Sequence, residues 1–162
     1  MEQEHISVVL PWLGLAGAIV GAAITAIVTS INNWVSRNKS ELDAIHQEIL
    51  QINKISIDYP YLEDDFFCAG WDYDKVRDKD ATLREQYQRY DNYCCIVFNT
   101  IERLWQFCEG NQEKIERQFA VKEMAARHAK WWKRPSGASE NIEGYDREFR
   151  QFVEKYTKSV GV

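Results

Sequence analysis

The stretch from Ile6 to Ile31 contains no Asp, Glu, Lys or Arg, and its strongest polar groups are Ser7, Thr25, Thr29 and Ser30. At 1.5 Å per residue, a helix of this length reaches about 39 Å, more than the roughly 30 Å hydrocarbon layer of a bilayer. The reading is an N-terminal transmembrane helix within residues 1–36. An amphipathic connecting helix is expected over 37–57 and an all-α bundle over 58–162. The expected fold class is all-α: one transmembrane helix followed by a cytoplasmic helical bundle.

The stretch is also sorted around its axis. On a helical wheel Gly14, Gly17, Ala18, Gly21, Ala22, Thr25, Thr29 and Asn32 share one side. Leu15, Ile19, Val20, Ile24, Ile27 and Ile31 take the other. Lipid tails give no reason for such sorting, whereas small residues let two helix backbones approach closely. Gly17-x-x-x-Gly21 is the sharpest instance. The face is therefore expected to pack against other copies or to line a pore. A plain anchor with incidental glycines is the competing reading, since glycine is common in membrane helices.

Charge supplies an orientation. Glu2, Glu4 and His5 precede the stretch, and Arg37 and Lys39 follow it. Positive residues stay on the cytoplasmic side, which places the C-terminal part inside the cell. Trp12 and Trp34 stand near the two ends, where indoles favour the interface. The short basic leader of a cleaved signal peptide is missing from the pattern. All 20 Lys and Arg, and every acid except Glu2 and Glu4, lie at 36–162. That part is mildly acidic, which argues against a general nucleic-acid binder. Cys68, Cys94, Cys95 and Cys108 show neither C-x-x-C nor a zinc-like spacing, so reduced, partly buried thiols are expected.

Beyond the span the apolar spacing is helical throughout. Asn38-Lys39-Ser40 interrupts it, and Ser40 with Asp43 resembles a capping-box start. Leu42, Ile45, Ile49 and Ile52 then form a stripe to about Ile57. Asp58-Tyr59-Pro60-Tyr61 ends that helix. A helix is predicted over 80–108 from Leu83, Tyr87, Tyr90, Cys94, Val97, Ile101, Leu104 and Cys108, closed by Gly110. Further helices are predicted over 112–132 and 140–158, separated by a break at Lys133–Gly137. Alternating β-branched runs are missing, so strands are not expected.

Enzyme signatures are lacking: there is no phosphate-binding G-x-x-x-x-G-K-[ST], no G-x-S-x-G and no H-E-x-x-H. No enzyme, cofactor or metal site is expected. The acids Glu63, Asp64, Asp65, Asp72 and Asp74 lack calcium-loop spacing. The best candidate contact segment is Lys122–Arg134, where Arg127, His128, Lys130, Trp131, Trp132, Lys133 and Arg134 mix cations with indoles. Cations neutralise phosphates and indoles stack on bases, so the mixture suits a nucleotide or single strand. The same residue types suit anionic lipid head groups. A simpler account is one tryptophan packed in the core beside a solvated cationic helix end, where positive charge favours the helix dipole.

The small-faced span Gly14–Thr29, a short amphipathic connection and a compact helical remainder resemble the small single-pass membrane effectors of bacterial antiviral defence. The nearest type is the CRISPR-associated accessory membrane protein that forms ring-shaped pores beside RNA-targeting effectors. A second type is the membrane effector triggered by a cyclic oligoadenylate. The first type carries an Arg-x(4–6)-His motif that this chain lacks, so no residue role is carried over. The resemblance implies a homo-oligomeric, pore-forming or membrane-permeabilising effector in the bacterial inner membrane. Its partners would be lipid, further copies of itself, and a nucleotide or RNA-effector trigger. The alternative is a membrane-tethered adaptor or nucleotide-binding module whose span is only an anchor.

Overall fold

Helix α1 runs without interruption from Gln3 to Asp58. The computed structural model describes residues 3–77, 80–135 and 142–158, with residues 3–20 and Val76 described by their backbone alone. All regular structure among these residues is helical. The chain divides between Leu42 and Asp43 into two compact units.

The helix break expected at Asn38-Lys39-Ser40 does not occur, because α1 passes through it. None of the three residues is Gly or Pro, and each costs only tenths of a kcal/mol against alanine inside a helix. A helix already nucleated on both sides absorbs such a penalty easily. Ser40 is thus a helix-interior residue rather than a cap.

In the first unit the side chains from Gly21 to Arg37 are all exposed. No helix among the described residues is long and apolar enough to cross a membrane. The larger share of the Ile6–Ile31 stretch, residues 6–20, lies outside the described side chains.

The second unit is built around α3 (Ala81–Phe107). Asp80 caps it, its Oδ1 accepting from the Thr82 and Leu83 amides at 2.8 and 2.9 Å. This satisfies two of the donors that every helix start leaves open. At the other end Gly110 takes φ +70°, and its amide donates to Trp105 O at 2.9 Å. That conformation suits glycine, which has no Cβ to clash. Tyr90, Cys94, Val97, Phe98, Ile101 and Leu104 of α3 are fully buried. Ile45 and Ile52, from the part of α1 beyond the division, close one side of this core. The Arg103 guanidinium there pairs with Glu48, and Thr100 Oγ1 donates to Glu48 Oε2 at 3.3 Å.

Three short helices replace the single one expected over 112–132: α4 (Gln112–Gln118), α5 (Val121–Arg127) and α6 (Ala129–Lys133). Buried residues spread over more than half the circumference of a single helix drawn through 112–132, since at about 100° per residue Ile115, Met124, Ala125, Ala129 and Trp131 lie widely apart around it. The chain instead turns at extended Phe119 and again at His128. The last helix, α7 (Arg147–Thr157), starts later than expected. Ile142–Gly144 forms a 3-10 turn instead, and Ser136–Asn141 lie outside the described residues. Between α1 and α3 come a 3-10 turn at Pro60–Glu63, the short α2 (Asp65–Ala69) and a second 3-10 turn at Tyr73–Arg77.

Candidate functional site

The first candidate lies on α1. Ile24, Ile27, Val28, Ile31, Trp34 and Val35 are each exposed to between 50 and 64%. Full burial of such side chains is worth about 1.5–3 kcal/mol each. Of the small face, Gly14, Gly17 and Ala18 belong to the part described by backbone alone. At Gly21 an added Cβ would meet nothing within 4 Å. Thr25 Oγ1 donates to Gly21 O at 2.8 Å. A hydroxyl bonded back into its own helix needs no outside acceptor, which suits an apolar setting. Thr29 and Asn32 are exposed on the same side.

The second candidate, Lys122–Arg134, is divided by the fold. Trp131 and Trp132 are core residues, 0 and 4% exposed. Both pack on Phe98, at ring distances of 5.4 and 4.6 Å. The Trp131 indole donates to Asp91 Oδ1 at 2.6 Å. Neither ring offers a face to a base from outside, so a stacking role for this pair is not available in the folded chain. His128 is likewise fully buried, with Nδ1 2.9 Å from the Tyr90 hydroxyl and Nε2 3.4 Å from Glu63 Oε1. The Tyr90 contact is a hydrogen bond, whereas Nε2 faces the carboxylate at ion-pair distance only.

Glu63 ties this cluster together. Tyr93 donates to its Oε1 and the Arg127 guanidinium to its Oε2. Arg127 also reaches Asp65 Oδ1 through Nε at 3.1 Å. Burial pushes the Glu63 carboxyl up, but His128, Tyr93 and Arg127 outweigh it and hold the group at about 2. Beside it the Cys68 thiol donates to Leu62 O at 3.2 Å, and burial pushes its pKa up to about 12. It is a protonated, structural thiol at neutral pH. Burial also raises the Tyr93 hydroxyl, reinforced by the Glu63 charge. The cluster cross-links the Pro60–Glu63 turn, α3 and α5.

Lys130, Lys133 and Arg134 remain on the surface. They face Lys75 across a cleft of about 500 Å³ that also takes in Trp71 and Tyr73. Sequence reasoning missed Lys75, Tyr73 and Asp91, and set Glu63 aside with the acidic run around it. Asp91 carried a readable signal, because Tyr87, Asp91 and Cys94 follow the 4, 3 spacing of a buried helix face. Glu63 and Lys75 lie in short turns with no periodicity, and only the fold brings them to their partners. Among the described residues no group of His, Cys, Asp or Glu could hold a metal ion.

No protein-family description fits the chain, and neither a curated protein nor a solved structure matches it significantly.

Proposed function

We propose that this chain is a homo-oligomeric membrane effector in bacterial antiviral defence, acting by permeabilising the inner membrane rather than by catalysis. The N-terminal part of α1 spans the bilayer, and the second unit lies in the cytoplasm. The large side chains Ile24, Ile27 and Ile31 face lipid. The small face, Gly14, Gly17, Ala18, Gly21, Thr25, Thr29 and Asn32, packs against further copies around a common axis. The observation that carries this reading is the run of half-exposed apolar side chains from Ile24 to Val35, which no other described residue buries. A water-facing helix with such a surface calls for a cover, and lipid plus copies of itself provide one. The uncharged residues 6–20 and the architectural resemblance to single-pass defence effectors support the same reading.

The test is the oligomeric mass of the full chain in detergent, measured by light scattering. A multiple of the protomer mass is expected, together with dye release from liposomes. The Gly17→Leu/Gly21→Leu double variant is expected to run as a monomer and to lose dye release, with an unchanged circular dichroism spectrum. A strictly monomeric wild-type chain overturns the proposal. Full tolerance of the double variant favours a tethered adaptor, with α1 as anchor only.

A further inference from the structure

The cleft between the segment Gly70–Lys75 and α6 gathers Lys75, Lys130, Lys133 and Arg134 on its walls. The fold builds this convergence. On α6 the buried Trp131 and Trp132 turn Lys130 and Lys133 outward together, one helical turn apart. The Trp71 indole donates to Arg134 O at 2.8 Å and fixes the two walls to each other. Lys75 Nζ donates to Gly70 O at 3.0 Å and to the Tyr87 hydroxyl at 3.3 Å, which holds the ammonium in place without neutralising it.

These cations lack strong counter-charges. Among the described residues, Lys75, Lys130 and Lys133 have no carboxylate within ion-pair distance. Arg134 reaches Asp74 only at 3.9 Å, and both side chains are mostly exposed, so the pair contributes little. Asp72 is the one acid lining the cleft among the described residues. The cleft therefore carries excess positive charge in a chain whose net charge is −5.

The aromatic rings define what the ligand is not. Trp71 stacks on Tyr87 at 5.7 Å, and Tyr73 has the guanidinium groups of Arg77 and Arg134 at 5.3 Å from its ring. A base would have to displace these contacts. We propose that the cleft binds a phosphate group bearing two or more negative charges, held by Lys75, Lys130, Lys133 and Arg134, with no recognition of a base. Multivalent oxyanions gain most from several ammonium and guanidinium donors at once. The same chemistry is presented by a free phosphorylated small molecule and by a phosphomonoester lipid head group.

Calorimetry on the full chain in a non-ionic detergent distinguishes the two sources. Pyrophosphate represents the free ligand and short-chain phosphatidic acid the head group, with short-chain phosphatidylcholine as the zwitterionic reference. One saturable site is expected for pyrophosphate, for phosphatidic acid or for both, weakening as salt rises. Each charged hydrogen bond to the anion contributes about tenfold or more in affinity, so Lys130→Glu/Lys133→Glu should weaken binding by at least about tenfold. The charge-matched pair Lys54→Glu/Lys114→Glu, at exposed positions outside the cleft, should leave it within about twofold. Saturable binding that survives in the cleft variant overturns the proposal. So does an equal loss in both double variants, or no saturable binding of either anionic probe. The result is independent of whether the chain oligomerises, so this proposal and the membrane proposal can fail separately.

Discussion

Gly21–Arg37 and the second unit use their large side chains in opposite ways. From Ile24 to Val35 every large apolar residue is at least half exposed, and Thr25 closes a side-chain hydrogen bond within its own helix. In the second unit tryptophan, tyrosine and phenylalanine interlock. Phe98 packs on Trp131 and Trp132, Trp132 on Tyr145 and Phe149, and Phe149 on Phe152. One region closes its apolar surface through its own contacts, and the other leaves its apolar side chains exposed. Hydrophobic content alone does not separate them. The difference lies in whether the apolar surface closes on itself.

The largest effect should therefore come from cutting the closed core. Trp131→Ala removes a ring lying nearly parallel to Phe98, with 9° between planes, and strips buried Asp91 of its indole donor. A loss of about 4 kcal/mol in the unfolding free energy of the second unit is expected. Ile27→Ala, at a residue 59% exposed, should change that quantity by less than about 0.5 kcal/mol. Urea titrations of both variants in detergent, followed by circular dichroism, measure the contrast. A comparable loss in the two variants would mean that the regions are not energetically distinct.

Next comes the polar centre of the second unit. Glu63 is held at about 2 against an ordinary 4.5, equivalent to roughly 3 kcal/mol of preference for the folded carboxylate. Because the folded value is depressed, this stabilisation is complete above about pH 5 and is lost as the pH falls through 4.5 towards 2. Glu63→Gln should cost about 2–3 kcal/mol at neutral pH, since Arg127 keeps Asp65 but loses its inner carboxylate. It should also flatten the decline in urea midpoint between about pH 5 and 2. A wild-type profile no steeper than that of the glutamine variant would show that Arg127, His128 and Tyr93 do not control the carboxylate.

How much of this was legible in the residues follows the same division. The stripe Leu83–Cys108 and the stop at Gly110 are local signals, and α3 forms where they place it. The all-α class follows from spacing alone. The continuity of α1 was not legible, because Ser40 with Asp43 imitates a helix start and only the cooperativity of the long helix overrides it. The three-way division of 112–132 was hidden as well, since it depends on which side α3 requires to be buried. In Lys122–Arg134 the mixture of cations and indoles was visible. Its separation into a buried pair on Phe98 and a cationic wall facing Lys75 is tertiary, set by two residues far away in the sequence.

The smallest effects test where the helices begin in each region. Asp146 Oδ1 accepts from the Glu148 and Phe149 amides at 2.7 and 3.2 Å, which makes it the true start of α7. Asp146→Ala should cost about 1 kcal/mol of second-unit stability, the usual loss for a helix cap. Ser40 has the sequence of a cap and the position of a helix interior, so Ser40→Ala should be neutral or stabilise by up to about 0.5 kcal/mol, as alanine favours a helix interior. The paired measurement is sharp because the two positions predict opposite signs. A loss of about 1 kcal/mol at both would restore a helix start at Ser40 and a break in α1. The apolar helix of the first unit would then be a separate element that ends before Ser40, and α1 would not be continuous in sequence.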